Sequence, residues 1–141
     1  MIAVYTPTYF STSNTWSARE YAAMEALEKK RLALLEPGKI TGLILPVVLR
    51  RAQHMPPAIA GRQWSDFSDF LLSERGLLRN RRYREQLRDI ATWIADVNEQ
   101  LGELPSDAMD CDSFTLPSET DIRLYLEEQT ALQRPTLPFP R

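Results

Sequence analysis

In "TYFSTSNTWSAREYAAM", residues 8 to 24, a tryptophan and a glutamate stand four apart, Trp16 and Glu20, where a hydroxyl-rich loop turns into a helix. A carboxylate so placed has two uses. As the last residue of "SARE" it completes a capping box: Ser17 is the N-cap, Glu20 reaches back to the Ser17 amide, and Trp16 staples against Tyr21. Such a box contributes about 1 kcal/mol. The other use is chemical: the same carboxylate, held over a pocket, can stabilise positive charge that develops in a reaction.

Rival chemistry is sparse. His54, the only histidine, sits in a polar loop and reads as a surface residue. Asp66 and Asp69 read as loop or capping acids. The six arginines from Arg75 to Arg88 read as a solvated face, with a partner surface as the sharper alternative. A single cysteine, Cys111, rules out an internal disulfide and a Cys-based zinc site. It fits a reducing compartment, so a cytoplasmic location is expected.

The elements that must position Glu20 alternate. "IAVY" (2–5) is a short run of strand formers stopped by Pro7. From Ser17 to about Leu35 good helix formers dominate, with Tyr21, Met24, Leu27 and Leu34 near one face, and "EPGK" ends the helix. "ITGLILPVVLR" (40–50) predicts a strand buried on both faces, with its core at Gly42–Leu49 and Pro46 at a bulge or unpaired position. "RRAQHMPPAIAGR" predicts a loop with a helical turn, and "QWSDF" (63–67) a third, short strand. In "RNRRYREQLRDIATWIADVNEQLG" the residues Tyr83, Leu87, Ile90, Ile94, Val97 and Leu101 form one apolar stripe on a long helix capped by Gly102. Strands alternating with helices predict a parallel α/β sheet.

Composition changes after residue 101. Residues 1–101 carry 14 Lys/Arg against 11 Asp/Glu, too mild an excess to point to nucleic acid, whereas residues 102–128 carry one arginine against eight acids. Ser118 and Asp121 could cap a short helix bearing Ile122, Tyr125, Leu126 and Leu132. The expected organisation is a domain over 1–101 and an acidic, Pro-rich tail over 102–141, mostly disordered apart from a helix at 119–132. No apolar stretch is long enough for a transmembrane helix, and no membrane partner is expected.

The strand "IAVY", the turn "TPTYF", the loop "STSNT" and the helix opening "WSARE", followed by "GLILPVVLR" and "MPPAIAGRQWSDF", together resemble the second half of a Toll/interleukin-1 receptor (TIR) domain of the bacterial type. That family has a Ser-Pro-x-Tyr-like turn, where this chain has Thr6, and Trp-Cys-x-x-Glu opening the helix, where it has Ser17. The resemblance spans roughly residues 1–101. It implies a flavodoxin-like parallel sheet of which this chain holds the third, fourth and fifth strands and lacks the first two.

It also implies an activity, the cleavage of nicotinamide from NAD+ in signalling or bacterial defence. Glu20 would be the catalytic carboxylate of this hydrolase, and Tyr9, Ser13 and Trp16 would line the site for NAD+ as substrate. No further cofactor or metal is implied. The alternative is a non-catalytic TIR module acting by self-association. Homo-oligomers or other TIR domains are the expected partners. Ligands in open α/β sheets bind outside the carboxyl ends of strands, which is where Tyr9, Trp16 and Glu20 follow Ile2–Tyr5.

Overall fold

The computed structural model describes residues 1–12, 15–35, 40–50, 55–70, 76–102 and 115–132, without the side chains of 127–132. Strand β1 (Ile2–Tyr5) alternates exposed and buried side chains, as a strand with one covered face must. It pairs in parallel with β2 (Leu45–Val48), and β2 pairs in parallel with β3 (Ser65–Asp66), giving the order β1-β2-β3. Helix α1 (Thr15–Leu32) joins the first two strands, and the short α2 (Pro57–Ala60) lies between the next two. A 3-10 turn at Leu77–Arg79 leads into α3 (Arg81–Gly102), and α4 (Glu119–Leu132) follows. The expected parallel α/β architecture is present as a three-stranded sheet with helices.

Pro46 lies inside β2, opposite Ala3, rather than at a bulge. Backbone alternation explains why it is tolerated. The amides of Leu45 and Leu49 bond to Met1 and Tyr5 of the β1 side. The nitrogen of Pro46 therefore faces the β3 side, where pairing begins only at Val47 with Ser65. The missing donor costs no ladder bond. The strand itself is shorter than the expected Gly42–Leu49, because the residues before Leu45 are held by side chains instead of by a neighbouring strand.

The sheet separates two apolar clusters. On one face Ala3, Tyr5, Phe10, Ala18, Tyr21, Val48, Ile59 and Ile122 form the larger core. Phe10, Tyr21 and Tyr125 meet ring to ring there, with centroids 5.2 to 5.6 Å apart. On the other face Val47, Phe67 and Phe70 pack with Tyr83 and Ile90 of α3.

Helix α4 belongs to the larger core. Ile122 is fully buried and Tyr125 reaches Glu25 of α1, so this helix packs on α1 instead of extending as an appendage. Its start has the expected cap: the Ser118 amide and hydroxyl both donate to Asp121 Oδ2 at 2.8 Å. Those bonds hold the Asp121 carboxyl below its ordinary pKa. The expected disordered parts of the tail, 103–114 and 133–141, lie outside the described residues, as do His54, Arg75 and Cys111.

Helix α3 docks less fully than its stripe predicts. Tyr83, Ile90 and Val97 are half-buried, but Leu87 and Ile94 remain 39% and 45% exposed, and no residue of the helix is fully buried.

One polar tie joins α1 to the approaches of β2 and β3. Glu28, 5% exposed, accepts the amides of Leu43 (2.6 Å) and Ile44 (3.1 Å) on Oε1 and Arg62 Nη1 (2.6 Å) on Oε2. Arg62 Nη2 donates to Glu25 Oε1 at 2.8 Å, and Tyr125 donates to Glu25 Oε2 at 2.7 Å. Gly42 permits this approach, since a Cβ there would stand 3.2 Å from Glu28 Oε1. Removing the Glu28 carboxylate leaves two buried backbone donors without an acceptor and the half-buried Arg62 guanidinium with Glu25 as its remaining carboxylate partner. We expect Glu28→Ala to cost about 3–5 kcal/mol in urea unfolding, the range for breaking one side of a buried ion pair. A loss under about 1 kcal/mol would show that the tie is dispensable.

Candidate functional site

The carboxyl end of β1 places most of the sequence-selected residues. After Tyr5 the chain makes tight turns, closed by Tyr9 N–H to Thr6 O at 2.9 Å and Ser11 N–H to Thr8 O at 3.2 Å. The turns fold Tyr9 and Phe10 back onto the core: Tyr9 is half-buried, with its ring centroid 4.9 Å from Phe10 and 6.5 Å from Tyr21. Burial raises the Tyr9 phenol above its ordinary pKa, and the Glu20 carboxylate raises it further. Glu20 is thus near enough to Tyr9 to act on it electrostatically, while its own side chain is exposed.

Trp16 is 59% exposed, with the Arg19 guanidinium 5.7 Å from its ring centroid. Arg19 is itself anchored by donating to Pro117 O at 2.9 Å. Ser13 lies outside the described residues.

The capping box expected at "SARE" is not how α1 begins. The helix already includes Thr15 and Trp16, so Ser17 is its third residue and cannot be its N-cap. Tyr21 takes Tyr9, Phe10 and Tyr125 as its ring partners, and the exposed Trp16 does not staple it. Buried rings on the core side outcompete a local staple that would leave Tyr21 facing solvent. Glu20 is therefore not held by the cap that offered its bland explanation.

Sequence reasoning missed a second polar site, at the opposite end of the sheet. A cleft of 390 Å³ is walled by Glu25, Thr41, Gly42, Arg62, Gln63 and Trp93, among others. These residues come from the later turns of α1, the approaches to β2 and β3, and α3, so the cleft sits at the amino ends of the strands. Its charged groups are committed to one another: Arg62 to Glu25 and Glu28, and Glu25 to Tyr125. Arg62 also lies 5.6 Å from the Tyr21 ring centroid.

Burial alone would raise the Glu25 carboxyl. The hydrogen bonds from Tyr125 and Arg62 outweigh it and hold the group below the ordinary carboxylate range. Burial raises Tyr21 to about 12 and Tyr125 further still, the latter aided by its bond to Glu25. The only sequence signal for this cluster was the (i, i+3) spacing of Glu25 and Glu28, which is common on solvated helices.

The remaining candidates read as expected. Asp66 accepts the Ser68 amide at 2.8 Å, as a loop-capping acid does. Asp69 pairs with Arg82 at 2.9 Å, and Arg81 with Glu85 at 2.7 Å, all exposed. Such pairs contribute about 0–1 kcal/mol each. Among the described residues no group of three or more His, Cys, Asp or Glu could hold a metal ion, and no helix is long and apolar enough to cross a membrane. No protein-family model, no curated protein and no solved structure matches the chain.

Two outcomes test this geometry. In Glu20→Gln the Tyr9 phenol should titrate at lower pH than in the parent, read by NMR of the tyrosine rings; an unmoved Tyr9 would separate the two groups. The Glu25 carboxyl has a depressed folded pKa, so its contribution to stability is present above the unfolded value of ~4.3 and lost as pH falls. The tyrosines have raised folded values, so theirs is present below ~10 and lost above it. Melting temperature should therefore fall at both extremes, and Glu25→Gln should flatten the acid limb. An unchanged acid limb would remove Glu25 from the account.

Proposed function

We propose that the chain carries the Glu20 side of an NAD+-cleaving site of the TIR type. The observation that supports this reading is the grouping of Tyr9, Trp16 and Glu20 just past the carboxyl end of β1, with Glu20 electrostatically coupled to Tyr9. This is the end at which parallel sheets bind ligands.

The chemistry asks for one fixed carboxylate. As the bond between nicotinamide and ribose breaks, the ring nitrogen keeps the bonding pair and nicotinamide leaves neutral. Positive charge develops on the ribose, and Glu20 stabilises it. The half-exposed ring of Trp16 offers a stacking face for a planar base, and the Tyr9 phenol, kept neutral by burial and by Glu20, can donate a hydrogen bond. Glu20 is exposed in the isolated chain, so the charge is stabilised strongly only when a further surface excludes water from it. In this reading that surface packs on the open edge of β1.

The second reading, a non-catalytic module working by self-association, is favoured by a different observation. Ile2 and Val4 of β1 are 41% and 49% exposed, and Leu87 and Ile94 of α3 are exposed as well. Large apolar side chains grouped in this way mark interaction surfaces.

NAD+ turnover separates the two. Glu20→Ala should abolish nicotinamide release while changing stability by no more than about 1 kcal/mol, since its side chain is exposed. Undiminished release from that variant would sink the catalytic role. No release from the parent chain, together with assembly, would favour the second reading.

A further inference from the structure

β1 ends the sheet. Its inward bonds run from Leu45 N–H to Met1 O and from Leu49 N–H to Tyr5 O. Strand alternation therefore turns the N–H and C=O groups of Ile2 and Val4 outward, and among the described residues no strand pairs with them. Two of the usual protections of an edge are missing from it: residues 2–6 hold no charged side chain and no proline.

The side chains add direction. Val4 is in register with Val47, and Ile2 with Leu45, so both share the sheet face that α3 covers over β2 and β3. α3 runs back from Tyr83, beside Phe67, to Trp93 at the amino-end cleft. With the right-handed crossovers that parallel strands adopt, positions 87 and 94 lie on its flank toward β1. The exposed Ile2, Val4, Leu87 and Ile94 thus form the floor and one wall of a single apolar trough along the open edge.

We infer that the occupant of this edge is a second copy of the chain, with β1 pairing antiparallel to its partner about a two-fold axis through Ala3. In that register Ile2 stands opposite the partner's Val4, and the two outward residues of each strand exchange both of their backbone bonds. The sheet becomes six-stranded, with the order β3-β2-β1 continued by β1-β2-β3 of the second copy. The interface is isologous, so it closes.

Charge fits the same axis. Arg81, Arg82, Arg84 and Arg88 outweigh Glu85 and Asp89 in the first half of α3, and Asp96 and Glu99 are the only charges of its second half. A two-fold normal to the sheet runs the two α3 helices in opposite directions, setting the basic half of each across from the acidic half of the other. This inference deepens the self-association reading and does not require NAD+ cleavage.

Sedimentation of the full chain, with hydrogen exchange, tests it. The parent should be a dimer at tens of micromolar that dissociates on dilution, with the Val4 amide protected only at the higher concentration. Val4→Pro removes an outward donor without touching the β2 ladder. Val4→Lys sets a charge against the partner's apolar Ile2. Both should be monomers with the parent's circular dichroism, whereas Leu78→Lys, on a side chain 70% exposed elsewhere, should remain a dimer. A monomeric parent, open-ended aggregates, a Val4 amide protected at all concentrations (a segment of the same chain covering the edge), or a dimer that survives Val4→Pro would each overturn the pairing. NAD+ turnover measured on the same samples keeps this result separate from the catalytic reading.

Discussion

The Glu28 carboxylate fixes the geometry of everything around it. Two amides at the entrance of β2 have no strand partner in that direction, and Glu28 supplies their acceptor from α1. Arg62 then binds the other oxygen and joins the approach of β3 to the same point. A buried carboxylate is tolerable only with such compensation. The consequence is that α1 is pinned at the amino end of the sheet, which sets where its first turns, with Trp16 and Glu20, emerge at the carboxyl end.

The polar groups of the molecule divide between the two ends of that helix. At the amino end Glu25, Glu28, Arg62 and Tyr125 satisfy one another, so the cleft beside them is a structural knot whose charges face inward. At the carboxyl end Tyr9 is half-buried and Glu20 and Trp16 face solvent. A neutral phenol beside an exposed carboxylate, past the end of a parallel strand, is suited to a ligand in a way that a closed ion-pair network is not. The open edge of β1 lies next to that end, so in the proposed readings assembly and enclosure of the site would be linked through the same strand.

The sequence foretold the elements better than their packing. The run of strand formers in "IAVY" and the 3.6-residue repeat over residues 81–102 foretold β1 and α3 nearly to the residue, because residue type and helical period are local signals. The Ser118–Asp121 cap was legible for the same reason. The start of α1 was not: "SARE" matches a cap by spacing, but burial of Tyr21 among Phe10, Tyr9 and Tyr125 decided the helix register, and those partners come from two segments distant in sequence, the turn after β1 and α4. Arg62 stands 34 residues from Glu28 and Tyr125 stands 100 from Glu25, so no spacing rule could have joined them. The half-used stripe of α3 was equally hidden, since periodicity says which residues share a face and not whether another surface covers it.

The most direct measurement of the central claim is an NAD+ titration followed by amide and side-chain NMR. The account predicts shifts concentrated at Tyr9, Trp16 and Glu20, with Gln63 and Trp93 of the amino-end cleft unmoved. Shifts confined to Gln63 and Trp93, or none at millimolar NAD+ in the assembled protein, would contradict it.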